Sequence, residues 1–238
     1  MRYKDDLTII YITANLAREY FAEKVREQLV KAAKEADFPI ISVSQKPMDF
    51  GDQNICVGEI GQSFHNAWRQ MLAGAKAATT KYIAIAEDDT LYSDTHFNSY
   101  RPADDTFGYD MSKWSVYTWK DCYCVKRRIN GPAIIAPREL FIEAIEERFE
   151  KALDKPEKFW SELGKYEKHL GIKERKIEKF FSSYGIVVFS HEEAMSFKGL
   201  GKRKRMGEYR AYDIPYWGHF NKMLEMYNGT VDINTSKE

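Results

Sequence analysis

Leu7-Thr8-Ile9-Ile10-Tyr11-Ile12-Thr13 is a continuous run of β-branched and aromatic residues. A run with no polar alternation predicts a strand buried on both faces, as in a parallel sheet. Apolar side chains then return at helical spacing, at Phe21, Val25, Leu29 and Ala32, with Lys and Glu between them. That pattern predicts an amphipathic helix over about 16–36, with Asn15 as a candidate cap. Pro39–Ser44 reads as a second strand. The opening segment is therefore a β-α-β unit, whose crossover should be right-handed.

A polar stretch follows, about 45–62, carrying Gly51, Gly58 and Gly61. It reads as a loop, and loops of this length inside compact domains usually serve function. A second helix is predicted over about 63–78, with Trp68, Met71 and Leu72 inward. A third strand, Thr80–Ala86, runs straight into Glu87-Asp88-Asp89-Thr90. Beyond it, Trp114–Trp119 and Tyr123–Lys126 read as neighbouring strands, and Ile134–Pro137 as another. Helices are expected over about 138–153, 157–169 and 173–182, the last two divided by Gly171. Ile186–Ser190 is a last buried strand, followed by a helix near 216–227 and a polar tail that should fray. The expected fold is a Rossmann-like α/β sandwich, with a mostly parallel central sheet flanked by helices and a helical C-terminal part.

Composition narrows the function. The 238 residues are 44% hydrophobic and 30% charged, which suits a globular chain with a real core. Thirty-six basic and 36 acidic side chains cancel, so no global field draws the protein to nucleic acid or to a membrane. Three cysteines, Cys56, Cys122 and Cys124, make no disulfide framework and favour a reducing compartment. No apolar run approaches a signal segment or the roughly 20 residues of a membrane span, so a cytoplasmic protein is expected.

The chemistry concentrates at one strand end. Ligands of open α/β sheets bind outside the carboxyl ends of the strands. Glu87, Asp88 and Asp89 sit at such an end and repel one another unless a cation compensates. Oxygen ligands suit Mg²⁺ or Mn²⁺, which keep waters and also bind substrate phosphates. His191 follows the last strand and is a candidate further ligand. A solvated acidic turn is the alternative. Lys198, Lys202, Arg203, Lys204 and Arg205 form a basic loop interrupted by Gly199, Gly201 and Gly207. Such a loop can close over a diphosphate as a lid, or contact a nucleic-acid backbone.

These features together resemble the GT-A type of glycosyltransferase, especially its family 2-like group. The matching residues are Ile9–Asn15 as the nucleotide-binding first strand, Ala86-Glu87-Asp88-Asp89-Thr90 as a D-x-D-like motif, and Gly131–Ile135 as the strand beside the acceptor. His191 and the basic loop resemble that group's C-terminal metal histidine and diphosphate contacts. The resemblance spans roughly residues 7–205. It implies one domain over 1–238, with a nucleotide-binding half (1–90), an acceptor side with the basic lid (91–215), and a C-terminal helix and tail (216–238).

The same resemblance implies roles. Thr13 and Asn15 would touch the nucleoside, and Gln45 with the Gly58–Ser63 loop, Ser63 included, would line the base pocket. Glu87 would lie near the ribose, although Glu in place of Asp can shift that contact to Asp88. Asp89, with Glu87 and His191, would hold Mn²⁺ or Mg²⁺ against the diphosphate, and Lys198, Lys202 and Arg203 would offset its charge. The donor would be a nucleoside-diphosphate sugar, a UDP-sugar favoured.

An inverting transfer needs a carboxylate base for the acceptor hydroxyl. Glu162, Asp110 and Glu167 are the candidates, in that order. Tyr109, Trp114, Tyr117 and Trp119 are a candidate acceptor platform. The acceptor can be a glycan hydroxyl or a modified DNA base, the latter only if flipped out or single-stranded. A nucleotidyltransferase is the nearest rival, but the first turn here, Thr13–Arg18, lacks the glycines of a phosphate loop. A non-catalytic nucleotide or nucleic-acid binding module is the other alternative.

Overall fold

The computed structural model describes residues 6–125, 127–195 and 209–229. In chain order the strands that matter are β1 (Leu7–Thr13), β2 (Ile40–Ser44), β3 (Gln53–Cys56), β4 (Tyr82–Glu87), β5 (Thr90–Leu91), β6 (Thr106–Asp110), β7 (Lys113–Tyr117), β8 (Tyr123–Val125), β9 (Ile134–Pro137), β10 (Lys176–Phe180) and β11 (Ile186–Ser190). The helices are α1 (Glu19–Ala36), α2 (Phe64–Ala77), α3 (Asp94–Asn98), α4 (Arg138–Ala152), α5 (Glu167–Leu170) and α6 (Phe220–Asn228).

A seven-stranded sheet runs β10-β6-β9-β4-β1-β2-β3. Its pairs are parallel except those of β9, which is antiparallel to both β4 and β6. The expected α/β fold with a mostly parallel central sheet is the one observed. All seven residues of β1 are buried, because both faces are covered. Ile10 and Ile12 face the layer of α2 and α4, packing with Trp68, Met71 and Phe141. Leu7, Ile9 and Tyr11 face the opposite layer, with Leu29, Ala32 and Ala33 of α1. The two-residue period of a strand divides one apolar run between two cores. Each fully buried aliphatic side chain contributes about 1.5–3 kcal/mol. Gly74 lets α2 lie close on β1, since a Cβ there would collide with Ile10.

A second sheet runs through β8, β7, β11 and β5, with Arg210–Ala211 paired on the outer edge of β8. β7 and β11 are parallel; β7–β8 and β11–β5 are antiparallel. Its core joins Phe189 to Phe220, Met223 and Tyr227 of α6. β5 follows β4 after the Asp88-Asp89 turn, so the acidic triplet lies where the two sheets meet.

Four expectations are corrected. The stretch 45–62 contains β3, which pairs parallel with β2 at the sheet edge. Residues 173–182 form no helix: Lys176–Phe180 is the edge strand β10 beside β6. Within 157–169 there is only a short 3₁₀ turn, Glu157–Phe159, before α5. Asn15 does not cap α1, which begins at Glu19. It adopts the left-handed region at φ 55° and bonds elsewhere. Among the described residues, no helix is long and apolar enough to cross a membrane.

Candidate active site

Parallel pairing puts the carboxyl ends of β1, β2 and β4 side by side, with Ile12 opposite Glu87 and Thr13 opposite Ser44. An open cleft with a cavity volume of about 100 Å³ lies over these ends. Of the sequence-selected residues, Thr13, Gln45, Ser63, Glu87, Asp88, Asp89 and His191 all line it.

One wall of the cleft is held by side chains that fasten loops to strand ends. Asn15 Oδ1 accepts the backbone N–H groups of Gln45 and Lys46, each at 2.9 Å. Gln45 and Gly61 exchange two hydrogen bonds, Nε2 to O at 2.8 Å and N to Oε1 at 2.9 Å. Ser63 caps α2, accepting Asn66 N–H at 3.1 Å. Gln70, on the buried face of α2, donates to Thr13 O and Val43 O and so ties β1 to β2. Gln45 and Ser63 thus shape this wall as well as lining it, and Asn15 supports it from outside the cleft.

The acidic floor is electrostatically strained. Asp88 Oδ2 accepts a 2.5 Å hydrogen bond from Thr13 Oγ1. Burial, then the Asp89 charge, pushes the Asp88 carboxyl up to about 6 despite that bond. Glu87 is raised well above the usual carboxylate range, first by burial and then by Asp89, Asp88 and Glu162, with Lys113 opposing. Gly131 backs Glu87 closely: a Cβ there would stand 3.1 Å from its Oε1. Burial and mutual repulsion thus raise two carboxyls at one strand end, a tension that a cation would relieve.

Asp89 Oδ2 lies 3.8 Å from Nε2 of the buried His191. The other ring nitrogen, Nδ1, is 2.9 Å from Glu193 Oε2. A carboxylate at Nδ1 favours the proton there and orients Nε2 toward Asp89. A divalent cation between the two would take a lone pair from each. Among the described residues, no three His, Cys, Asp or Glu side chains form a ready-made metal cage. Two protein ligands, with water and phosphate for the rest, is nonetheless how Mg²⁺ and its relatives are commonly held. Asp89 and His191 fit that pattern. Glu193 itself is held down to about 2: burial pushes it up, but donors from His191, its own backbone, Arg18 and Tyr227 outweigh this.

The three candidate bases separate. Glu162 is buried beneath the floor, near enough for its charge to be felt at Glu87. Its carboxylate takes hydrogen bonds from Ser161 and, at 3.3 Å, from Lys165. Asp110 is not in the cleft. It is fully buried and accepts from Ser112 N–H and Ser182 Oγ while paired with His96 Nδ1 at 2.9 Å. Burial would raise it, but those partners hold it below the usual range. Glu167 is equally committed, to Arg148 at 2.7 Å, Gly164 N–H at 2.7 Å and Arg175 at 3.5 Å. All three are buried and none lines the cleft; Asp110 and Glu167 are internal acceptors, and Glu162 is the one whose charge reaches Glu87.

The aromatic platform is corrected too. Tyr109 and Tyr117 are fully buried, and the Tyr109 hydroxyl donates to Leu163 O at 2.9 Å. Trp114 and Trp119 pack against separate clusters. Lys198, Lys202 and Arg203 lie outside the described residues; the described segment before them ends at Met195, on the cleft wall. Sequence reasoning missed Gln62, Gln70 and Glu193. A polar residue on the buried stripe of a helix was the available signal for Gln70. A carboxylate two positions after His191 was the signal for Glu193.

No family model and no curated protein matches the chain. Among solved structures it is similar to a nucleotidyl transferase from Methanothermobacter thermautotroptrophicus, at TM-score 0.42 and 16% identity over 60% of this chain and 76% of that one. It is similar also to a glycosyltransferase involved in glycosylation of the major capsid of PBCV-1, at TM-score 0.42 and 12% identity over 74% of this chain and 81% of that one. A third is a Drosophila β-1,4-galactosyltransferase 7 mutant in complex with manganese, UDP-Gal and xylobiose, at TM-score 0.37 and 13% identity over 73% and 64%. The structural neighbours thus include two glycosyltransferases and a nucleotidyl transferase.

Proposed function

We propose that the chain is a metal-dependent glycosyltransferase that moves a sugar from a nucleoside-diphosphate sugar, a UDP-sugar favoured, to an acceptor hydroxyl with inversion. One observation carries this reading: Asp89 Oδ2 and His191 Nε2 lie 3.8 Å apart in a cleft at the carboxyl ends of parallel strands. Asp89 and His191 would hold Mn²⁺ or Mg²⁺. A divalent cation there would supply positive charge to the diphosphate leaving group.

The chain's own residues do the rest. The Gln45–Gly61 wall and Thr13 bind and orient the nucleoside. Asp88, held by Thr13, and Glu87, backed by Gly131, face the ribose side. Glu162 takes the proton as the acceptor oxygen bonds to the anomeric carbon, while the bond from that carbon to the diphosphate oxygen breaks and the nucleoside diphosphate leaves with its electron pair. General-base help of this kind is worth about 10²–10⁴-fold. The acceptor is a glycan hydroxyl or a hydroxyl on a modified base.

The test is product analysis with a panel of nucleotide sugars, Mn²⁺ and glycan acceptors. Release of nucleoside diphosphate supports the proposal. Release of inorganic pyrophosphate from a nucleoside triphosphate with a sugar phosphate would instead establish the nucleotidyltransferase alternative. Binding with neither product would establish a non-catalytic module.

A further inference from the structure

Glu193 gathers contacts from four parts of the chain. Its Oε2 lies 2.9 Å from His191 Nδ1 and accepts from the Tyr227 hydroxyl at 3.2 Å. Its Oε1 accepts from Arg18 Nε at 3.2 Å. Its backbone carbonyl accepts from Gln62 Nε2 at 3.0 Å. Arg18 precedes α1, Gln62 precedes α2, His191 follows β11 and Tyr227 lies on α6. Ala194 N–H donates to His191 O at 3.2 Å, and this tight turn brings the side chains of residues 191 and 193 together.

The contacts form an ordered set. Arg18 lies over the Tyr227 ring, 4.8 Å from its centroid. Phe21 meets the rings of both His191 and Tyr227 edge-on, at 5.8 and 5.2 Å. The imidazole is therefore packed against the Phe21 and Tyr227 rings and held at Nδ1 by a carboxylate. Only Nε2 is left toward the cleft, where Asp89 stands. Ring flipping would exchange the two nitrogens, and the Glu193 contact is what distinguishes them.

We propose that Glu193 is a positioning residue: its carboxylate fixes His191 with the proton on Nδ1 and Nε2 toward Asp89, and Tyr227 makes that orientation depend on the docking of α6. The consequence for metal affinity rests on the proposed function; the orientation of the ring does not. A C-terminal helix is thereby wired to the cleft through one carboxylate. Loss of such a partner typically costs 10–100-fold in metal affinity.

The test uses full-length protein labelled with ¹⁵N-histidine, free of metal, at a pH above the ordinary imidazole range. The His191 signals are assigned by their loss in His191→Gln. The native protein should show His191 as the Nδ1–H form. Glu193→Ala should give a mixture of the two tautomers, and Glu193→Gln, which keeps a neutral acceptor, should retain more of the native form. Tyr227→Phe should shift the population in the same direction but less, and serves alone if Glu193→Ala does not fold. In parallel, Mn²⁺ titration of the same proteins should show affinity falling 10–100-fold in Glu193→Ala and a few-fold in Tyr227→Phe.

An unchanged His191 spectrum in folded Glu193→Ala, or in Tyr227→Phe if that is the only folded variant, overturns the proposal, even if stability drops. A native protein that binds no Mn²⁺ but shows a Glu193-dependent tautomer refutes the metal reading and leaves the positioning role in place.

Discussion

Thr13 Oγ1 donates a 2.5 Å hydrogen bond to Asp88 Oδ2, joining the end of β1 to the turn after β4. The same hydroxyl oxygen accepts the Asn15 N–H at 2.9 Å. One side chain therefore steadies both the first loop and the acidic floor. Even so, burial and Asp89 leave the Asp88 carboxyl at about 6.

That shift makes Asp88 a cost to the metal-free fold. Its folded pKa lies above the unfolded value near ~4. Between about pH 4 and 6 the folded state binds more protons than the unfolded one, so this group's contribution to stability falls as pH rises through that window. Asp88→Asn keeps an acceptor for Thr13 and removes the charge. It should stabilise the metal-free protein at pH 7 by about 1–3 kcal/mol and flatten the pH 4–6 dependence. Denaturant melts across pH measure this. A variant less stable than the native protein at pH 7 would show that the floor is not strained.

Glu162→Gln should leave donor and metal binding within about twofold and cut transfer about 10²–10⁴-fold. Calorimetry for binding and nucleoside-diphosphate release for turnover separate the two effects. Full turnover would remove Glu162 as base.

Asp110 makes the opposite prediction. Its pKa is depressed, so its stabilising contribution is present above the unfolded carboxylate range and lost as pH falls below about 4. Asp110→Ala strands the buried His96 and Ser182 and should cost about 3–5 kcal/mol by denaturant unfolding. A loss below about 1 kcal/mol would show that Asp110 does not hold β6 to α3 and to the segment after β10.

The contrast between Asp88 and Asp110 shows what a sequence displays. β1, β4 and β11 were legible because strands covered on both faces are written as unbroken apolar runs. The carboxyl end of such a run also located Glu87, Asp88 and Asp89. β3 and β10 were not legible, since edge strands such as Gln-Asn-Ile-Cys and Lys-Ile-Glu-Lys-Phe carry mixed polarity and no covering layer dictates their period. Asp110 and Glu167 looked like reactive carboxylates because their partners, His96, Ser182, Arg148 and Arg175, arrive only through tertiary packing. Asn15 looked like a cap, yet its left-handed backbone turns the amide toward β2 instead.

The most direct measurement is a thermal-shift comparison of UDP-, GDP-, CMP- and dTDP-sugars, each with and without Mn²⁺, on native protein and on Asp89→Ala. At a donor concentration about 100 times its Kd, linkage gives about 2.7 kcal/mol, or roughly 5–10 °C for a chain of this length. The account predicts a shift of that order for one nucleotide base, only with Mn²⁺, and absent in Asp89→Ala. An equal shift without metal, an equal shift in Asp89→Ala, or none with any donor would contradict it.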